Sequence, residues 1–367
     1  MLTSDFDYNL PDDSIAQKPA EPRDHSKMMV LRRKERTIEH CHFFDIVNFL
    51  KPGDLMVWNN TKVFKARLHG FIELDEKVAG VENKGSSDVI LNARKVEILI
   101  LRPMENRGVW RALAKPGKKL RLGMRVRFAE DFTCEVLFKE SDGTVLVQFG
   151  EDDLVVRSKA NKYGEVPTPP YISSKFQPPG CKLGEQYQTI YAKTEGSVAA
   201  PTAGFHFTNE LVEKIKSIGV EFAEVTLHVG LGTFQPVKTK KVEEHEMHSE
   251  WVELSDKNAD LINRAKAEKR RIIAVGTTTV RVLEGVAAST GENKVRPFSG
   301  DLNIFIFPGY KFRIVDALIT NFHLPKSTLI MLVSAFVGDR EFLLNCYAEA
   351  IKQKYRFYSF GDAMLII

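Results

Sequence analysis

Arg271-Ile272-Ile273-Ala274-Val275-Gly276-Thr277-Thr278-Thr279-Val280-Arg281 decides the fold class of this chain. Its apolar run has no alternation, as expected of a strand covered on both faces. A glycine and three threonines follow, and helical spacing resumes near Thr279. Strands that feed helices through short turns build α/β sheets. Working outward, Ser255-Asp256 to Arg270 reads as a helix, Val220 to His228 as a strand, and Asn209 to Ile218 as a helix with Thr208 at its N-cap. On the other side Asn303–Ile306, Ala317–Asn321 and Ala363–Ile367 read as strands. Ser327–Val337 is apolar but too short to span a bilayer, so it is a buried strand or helix.

The N-terminal part continues this pattern. Met28–Arg32 is a strand, Phe43–Leu50 has helical spacing, Lys51-Pro52-Gly53-Asp54 is a turn, and Leu55–Trp58 is a short apolar strand. Between these regions the rhythm changes. Lys62–Phe71, Lys95–Leu101, Gly108–Ala112, Arg125–Phe128, Thr133–Phe138 and Val145–Phe149 are short strand-like runs, and Ser141-Asp142-Gly143 is a hairpin signal. Residues 74–92 break this rhythm, with Asn83–Asp88 as an exposed insertion in a loop, and Val166–Tyr171 is a proline-rich link. The expected fold is α/β: a discontinuous α/β domain with an inserted small antiparallel β-barrel. The expected boundaries are 1–60 and 158–367 for the α/β domain and 61–157 for the barrel.

The 367 residues carry a net charge of +4 and 43% hydrophobic residues, which excludes collagenous, coiled-coil and disordered classes. Four widely spaced cysteines make neither a disulfide framework nor a Cys-rich zinc site. Met1–Ala20 has four acids and no apolar core, so no signal peptide is expected, and the free thiols suit a cytoplasmic location. The charge is unevenly spread: residues 91–127 hold eleven Lys/Arg against two Glu. A basic β module of this kind can follow a phosphate backbone, although a solvated face explains part of the charge.

Three histidines sit in similar settings, each with small and apolar neighbours: His206 after Ala203-Gly204-Phe205, His228 before Val229-Gly230, and His323 after Thr320-Asn321-Phe322. Strand ends in open α/β sheets present groups to a crevice in this way. His245-Glu246-Met247-His248 is one residue short of a helical zinc motif and lacks a third ligand, so no metal is expected. Gly230-Leu231-Gly232-Thr233 fails the dinucleotide pattern because Gln235 stands where glycine is required. The Gly276–Arg281 turn could hold an anion or ribose at a helix N-terminus; the plain alternative is a turn capped by Thr279.

Seven stretches, in order along the chain, then carry a resemblance. They are Pro19-Ala20-Glu21-Pro22-Arg23-Asp24, Trp58–Val63, Tyr187–Ala192, Gly196–Gly204, His228–Phe234, His245–Glu250 and Asp316–Thr328. With them the chain resembles the S-adenosylmethionine:tRNA ribosyltransferase-isomerases of queuosine biosynthesis from Asp5 to Ile366. The resemblance implies S-adenosylmethionine as ribosyl donor and co-substrate. It implies 7-aminomethyl-7-deazaguanine at the tRNA wobble position as acceptor, with epoxyqueuosine-tRNA, adenine and methionine as products. The implied partner is an anticodon stem-loop with a GUN anticodon (tRNAs for Asn, Asp, His and Tyr), read by a cytoplasmic monomer.

The chemistry needs a base for an acidic C5′ proton, with His206 or His228 in that role and Glu195 or Glu246 as orienting group or alternative base. Arg23 and Lys326 would hold phosphate or the methionine carboxylate, and Thr278 and Arg281 ribose or a carboxylate. Asn321 and His323 would line the pocket, with Asp24, Lys27, Asn59, Asn60, Thr202 and Gly204 on the matching motifs beside them. Arg111, Lys115, Lys118, Lys119 and Arg121 would face RNA. The competing readings are a non-catalytic RNA-binding protein and an ordinary methyltransferase.

Overall fold

The computed structural model describes residues 1–73, 94–169, 171–172, 183–230, 237 and 239–367. The stretch 74–92, with the expected insertion at 83–88, and positions 231–233 of the glycine turn lie outside the described residues. Along the chain, β1 (Lys27–Arg32), β2 (Thr37–His42), β3 (Leu55–Asn59) and β4 (Thr61–Val63) come first. β5 (Arg67–Ile72), β6 (Arg94–Pro103), β7 (Val109–Lys115), β8 (Arg125–Ala129), β9 (Phe132–Lys139), β10 (Val145–Phe149) and helix α1 (Asp153–Tyr163) follow. Then come α2 (Leu183–Gln186), β11 (Thr194–Ser197), α3 (Asn209–Ser217), β12 (Glu221–Leu227), β13 (Glu250–Leu254), α4 (Asp256–Ala267), β14 (Ile272–Val275) and α5 (Thr277–Thr290). β15 (Phe298–Leu302), β16 (Ala317–Asn321), α6 (Thr328–Val337), α7 (Arg340–Lys352) and β17 (Ala363–Ile366) complete the chain.

Two units result, Met1–Lys62 with Thr168–Ile367, and Val63–Pro167. The first is built on a nine-stranded sheet in the order β15-β13-β12-β3-β14-β16-β17-β1-β2. β12, β3, β14 and β16 run parallel to one another, while β16 and β17 are antiparallel. Leu55 and Val57 enter one core and Met56 and Trp58 the other, so β3 is buried on both faces. That is the physical source of its unbroken apolar run. Val280, Leu283 and Val286 of α5 and Met331 and Val333 of α6 fill the first core, and Leu211 and Ile215 of α3 the second.

The second unit is a closed barrel, β10-β7-β6-β5-β8-β9, with every pairing antiparallel. Its core holds Trp110, Phe132, Val136, Val147 and Phe149, all essentially sealed from solvent. The expected barrel limits of 61 and 157 differ from this unit's limits, most at its C-terminal end. Helix α1 belongs to the barrel unit: Asn161 Oδ1 accepts from Lys65 N at 3.1 Å and Glu165 bridges to Arg67. The chain therefore leaves this unit only after Pro167.

Two of the local differences from the sequence reading share a cause. β2 (Thr-Ile-Glu-His-Cys-His) and β15 (Phe-Ser-Gly-Asp-Leu) are the two edges of the large sheet and are largely polar, so neither announces itself by hydrophobicity. The apolar Asn303–Ile306 is not a strand; the strand lies just before it. Ser327–Val337 resolves as helix α6, with Ser327 Oγ capping Ile330 N. Helix α5 starts earlier than expected, with Gly276 at its N-cap at φ +87°, a conformation that favours glycine. Thr279 is not the cap; its hydroxyl donates to Val275 O at 2.7 Å.

Candidate active site

Sheet topology gathers the sequence motifs. The carboxyl ends of the parallel strands β12, β3, β14 and β16 lie on one side of the large sheet. β17, β13 and β1 begin on that same side, because Ala363 pairs with Asn321, Val252 with Leu227, and Met28 with Ala363. His228, Asn59, Gly276–Thr278, Asn321–His323, Tyr358–Asp362 and Arg23–Lys27 thus come to one end of the sheet from different parts of the chain. Crevices at the carboxyl ends of α/β strands are where such folds bind ligands.

A cleft of about 680 Å³, counting space open to solvent, lies there. Thr202, Ala203, Gly276, Thr277, Thr278, Asn321 and His323 line it, with Tyr171, Tyr358 and Ser359 on one side. The first backbone N–H groups of α5 have no partner within the helix and can receive an oxyanion. A smaller cavity lined by Arg23, Ser26, Phe205, His206 and Phe360 shares Ser359 with it.

His206 lines the smaller cavity and reaches Asn321 of the larger cleft. Its Nδ1 is 2.7 Å from Ser26 Oγ, and its Nε2 is 3.2 Å from Asn321 Nδ2. With the amide donating, Nε2 is the unprotonated nitrogen and Nδ1–H donates to Ser26. Burial, together with the Arg356 and Arg23 charges, pushes this imidazole down to about 3. Asn321 also donates to Tyr358 O and accepts from Thr202 Oγ1 at 3.3 Å. His323 is likewise pushed down to about 3 by burial, with Nε2 3.2 Å from Thr320 Oγ1.

His228 is only partly buried. Its Nδ1 is 2.7 Å from Thr61 Oγ1, and its ring stacks on Trp251 at 5.0 Å. Gly196 lies directly beneath it: a Cβ there would be 2.7 Å from the ring's Cδ2 and Cε1, and closer still to Nε2. Glu195 is the next residue on β11 and is half-buried, whereas Glu246 is exposed in the loop before β13.

Other candidates have partners within the protein. Asn59, fully buried, donates to Leu227 O at 3.0 Å and accepts from the backbone of Leu227 and Thr61. Asn60 bonds Glu224 and Thr226. Arg281 forms a buried ion pair with Glu250, whose other oxygen accepts from Gly230 N at 2.9 Å. Lys326 pairs with Asp7 at 2.6 Å, half-exposed. Lys27 donates to the carbonyls of Gln353 and Lys354 just past α7, and Asp24 accepts from the Thr208 hydroxyl. Arg23 reaches the carbonyls of Gln186 and Gln188 over the Phe205 ring, and burial lowers its pKa. Gly204 is required by a close approach, since a Cβ would sit 2.7 Å from Thr189 Cγ2 and nearer still to Tyr191 Oη.

Sequence reasoning missed Ser26, Thr61, Trp251, Tyr171, Tyr358 and Ser359. Thr61 lies within the quoted stretch Trp58–Val63 and Ser26 just past Pro19–Asp24, and that placement was their signal. Tyr171 gave none, because it ends what reads as a proline-rich link. Among the described residues no cluster of three or more His, Cys, Asp or Glu side chains could hold a metal ion.

In the barrel, Lys115, Lys118, Lys119 and Arg121 are exposed, the middle two on the turn Gly117–Lys119. Arg111 instead lies against Glu140 and Asp142, partly buried. Arg107, Arg125 and Arg127 also pair with acids, so much of the apparent excess of base in this segment is locally neutralised.

Comparison with known proteins gives concordant results. The profile of a family described as queuosine biosynthesis protein matches residues 3–366. S-adenosylmethionine:tRNA ribosyltransferase-isomerases from Carboxydothermus hydrogenoformans and a Sulfurihydrogenibium strain are 48% and 46% identical, each over 100% of both chains. The crystal structure of an S-adenosylmethionine tRNA ribosyltransferase from Thermotoga maritima matches with a TM-score of 0.55 and 37% identity. It covers 99% of this chain and 100% of that one.

Proposed function

Because this chain belongs to the queuosine biosynthesis protein family, we propose that it is the S-adenosylmethionine:tRNA ribosyltransferase-isomerase of that pathway. It transfers the ribosyl group of S-adenosylmethionine to 7-aminomethyl-7-deazaguanine at the tRNA wobble position and rearranges it. Epoxyqueuosine-tRNA, adenine and methionine are the products. The observation that carries this reading is the full-length match to enzymes of this name. The cleft at the sheet's carboxyl end, which three of the seven matching stretches line, supports it. The reading of the chain as a non-catalytic RNA-binding protein is not favoured, because it leaves this convergence without a purpose.

The reaction begins when a base takes a C5′ proton made acidic by the adjacent sulfonium. His228 suits this role better than His206. It is partly exposed, and Thr61 and Trp251 fix its ring. His206, buried with both nitrogens engaged, is a weak proton acceptor and holds Asn321 in register instead. Glu195, beside Gly196, is the nearer of the two carboxylates in sequence to the ring's support. The α5 N-terminus and Thr278 take a carboxylate or ribose hydroxyls. Arg281 acts through Glu250 on Gly230 rather than on substrate.

The wobble base of a GUN anticodon is splayed from its loop at small unstacking cost. Lys115, Lys118, Lys119 and Arg121 pair with RNA phosphates. The same reading makes the enzyme a cytoplasmic monomer, located where its tRNA substrate is. No helix among the described residues is long and apolar enough to cross a membrane.

Incubating the protein with labelled S-adenosylmethionine and precursor tRNA tests the assignment. Free adenine with methionine is expected. S-adenosylhomocysteine would make it a methyltransferase, and neither product would leave an RNA-binding protein.

A further inference from the structure

Tyr358 is the least expected residue in the cleft. Its φ is +71°, in the left-handed region that a bulky residue rarely adopts. Such conformations persist only where surrounding contacts over-determine them. Here Tyr358 N donates to Phe322 O at 3.2 Å, and Tyr358 O accepts from Asn321 Nδ2 at 3.2 Å and from Gly361 N at 2.9 Å. The turn is tight as well: a Cβ on Gly361 would lie 2.6 Å from Phe357 C. This strain holds the ring at the cleft wall, its centroid 4.4 Å from the Tyr171 ring at an interplanar angle of 51°. Tyr171 is itself fixed, its Oη 2.6 Å from Ser359 Oγ and its carbonyl accepting from Gln17 Nε2 at 2.9 Å.

The position of this pair along the cleft is set by strand order. Gly276–Thr278 follow β14, Thr320–His323 lie at the end of β16, and Tyr358–Ser359 precede β17; the three strands are neighbours. Two strand spacings separate the outer pair by about 10 Å. The crevice therefore offers helix N–H groups and hydroxyls at one end, amide and imidazole groups in the middle, and an aromatic wall at the other. That sequence of chemistries fits an elongated ligand with an anionic tail, a ribose and a planar head.

We propose that Tyr358 and Tyr171 form the subsite for the adenine ring of S-adenosylmethionine, with the rest of the molecule running past Asn321 and His323 toward Gly276–Thr278. The proposal rests on the reading of the cleft as the S-adenosylmethionine site. Aromatic faces stack on bases without needing hydrogen-bonded partners. No hydrogen bond of the Tyr358 hydroxyl is seen among the described residues, so the ring rather than the phenol is the working part.

The test uses the full-length protein with Tyr358→Phe, Tyr358→Leu and Tyr358→Gly, and reads S-adenosylmethionine binding and inhibition of turnover by added adenine or methionine. Phe keeps the ring, so its S-adenosylmethionine binding and adenine inhibition should fall far less than those of the Leu variant. Leu should weaken S-adenosylmethionine binding and adenine inhibition by roughly 5- to 150-fold, the range for one stacked base, and leave methionine inhibition unchanged. Gly suits the left-handed backbone, so it removes the ring from a folded protein and should reproduce the Leu result. Unchanged adenine inhibition in both variants overturns the proposal. If the KM for tRNA rises instead, the wall holds the target nucleobase and the adenine assignment is wrong. Failure of the underlying functional reading shows separately, as absence of adenine release by the unmutated protein.

Discussion

Replacing Gly196 by alanine should damage catalysis through the position of a single ring. The backbone of Gly196 is not in the left-handed region, so alanine meets only a steric problem. The new Cβ would lie 2.7 Å from two ring carbons of His228, where comfortable contact needs about 3.5 Å, so the ring must retreat by about 0.8 Å. It has little room to do so, being bonded to Thr61 Oγ1 at 2.7 Å and stacked on Trp251. Overpacking of this kind costs about 1–3 kcal/mol of stability, and a misplacement of about 1 Å at a reacting group costs roughly a hundredfold in rate. Single-turnover release of adenine from S-adenosylmethionine with precursor tRNA gives the rate, and thermal denaturation gives the stability. A double-mutant cycle isolates the cause. In a His228→Ala background the space is empty, so Gly196→Ala should add neither a stability loss nor a further loss of rate. Near-native turnover by Gly196→Ala, or full additivity in the cycle, would refute the claim that the glycine exists to seat this ring.

The buried histidines predict a pH dependence of stability. Both are pushed from 6.5 down to about 3 in the fold, so between those values the unfolded chain binds more protons. Their contribution is complete above about pH 6.5 and is lost as the pH falls toward 3, with a slope of at most about 1.4 kcal/mol per pH unit for each ring. Denaturant titrations from pH 7 to 4 should show this slope flattened in His206→Asn and in His323→Asn, and an unaltered slope would count against it. Glu250→Ala leaves Arg281 charged and buried, so it should destabilise by about 3–5 kcal/mol in the same titration, with much of the loss recovered by adding Arg281→Met. In the barrel, Lys118→Glu, Lys119→Glu and Arg121→Glu together should weaken tRNA binding and lower its salt slope by about 0.7–0.9 for each phosphate no longer neutralised. Arg111→Ala removes a charge already engaged by Glu140, so filter binding should show its salt slope unchanged.

Much of the fold was legible because burial on both faces of a sheet writes a continuous apolar run, as in Leu55–Trp58 and Ile272–Val275. The barrel was legible by contrast, through short strands and turns such as Ser141-Asp142-Gly143. What faded was whatever sits at a margin. The edge strands β2 and β15 are largely polar, and the exit from the barrel unit follows a helix whose membership depends on a hydrogen bond between Asn161 and Lys65.

The site divides in the same way. The sequence by itself marked the segments that could carry chemistry: the three histidines, the glycine and threonine turns, and the motifs around them. It could not say what each residue does, because a role depends on which partner reaches it. Arg281 and Lys326 look like ligands for an anion until Glu250 and Asp7 are found against them. His206 and His228 have similar local settings, yet one is sealed between Ser26 and Asn321 and the other stands half-open over Gly196. Ser26, Asn321 and Thr61 are each more than a hundred residues along the chain from the imidazole they hold. Only the order and direction of the strands bring them together. Tertiary structure therefore decided which partners each residue meets, since desolvation and hydrogen bonding belong to an enclosure rather than to a residue.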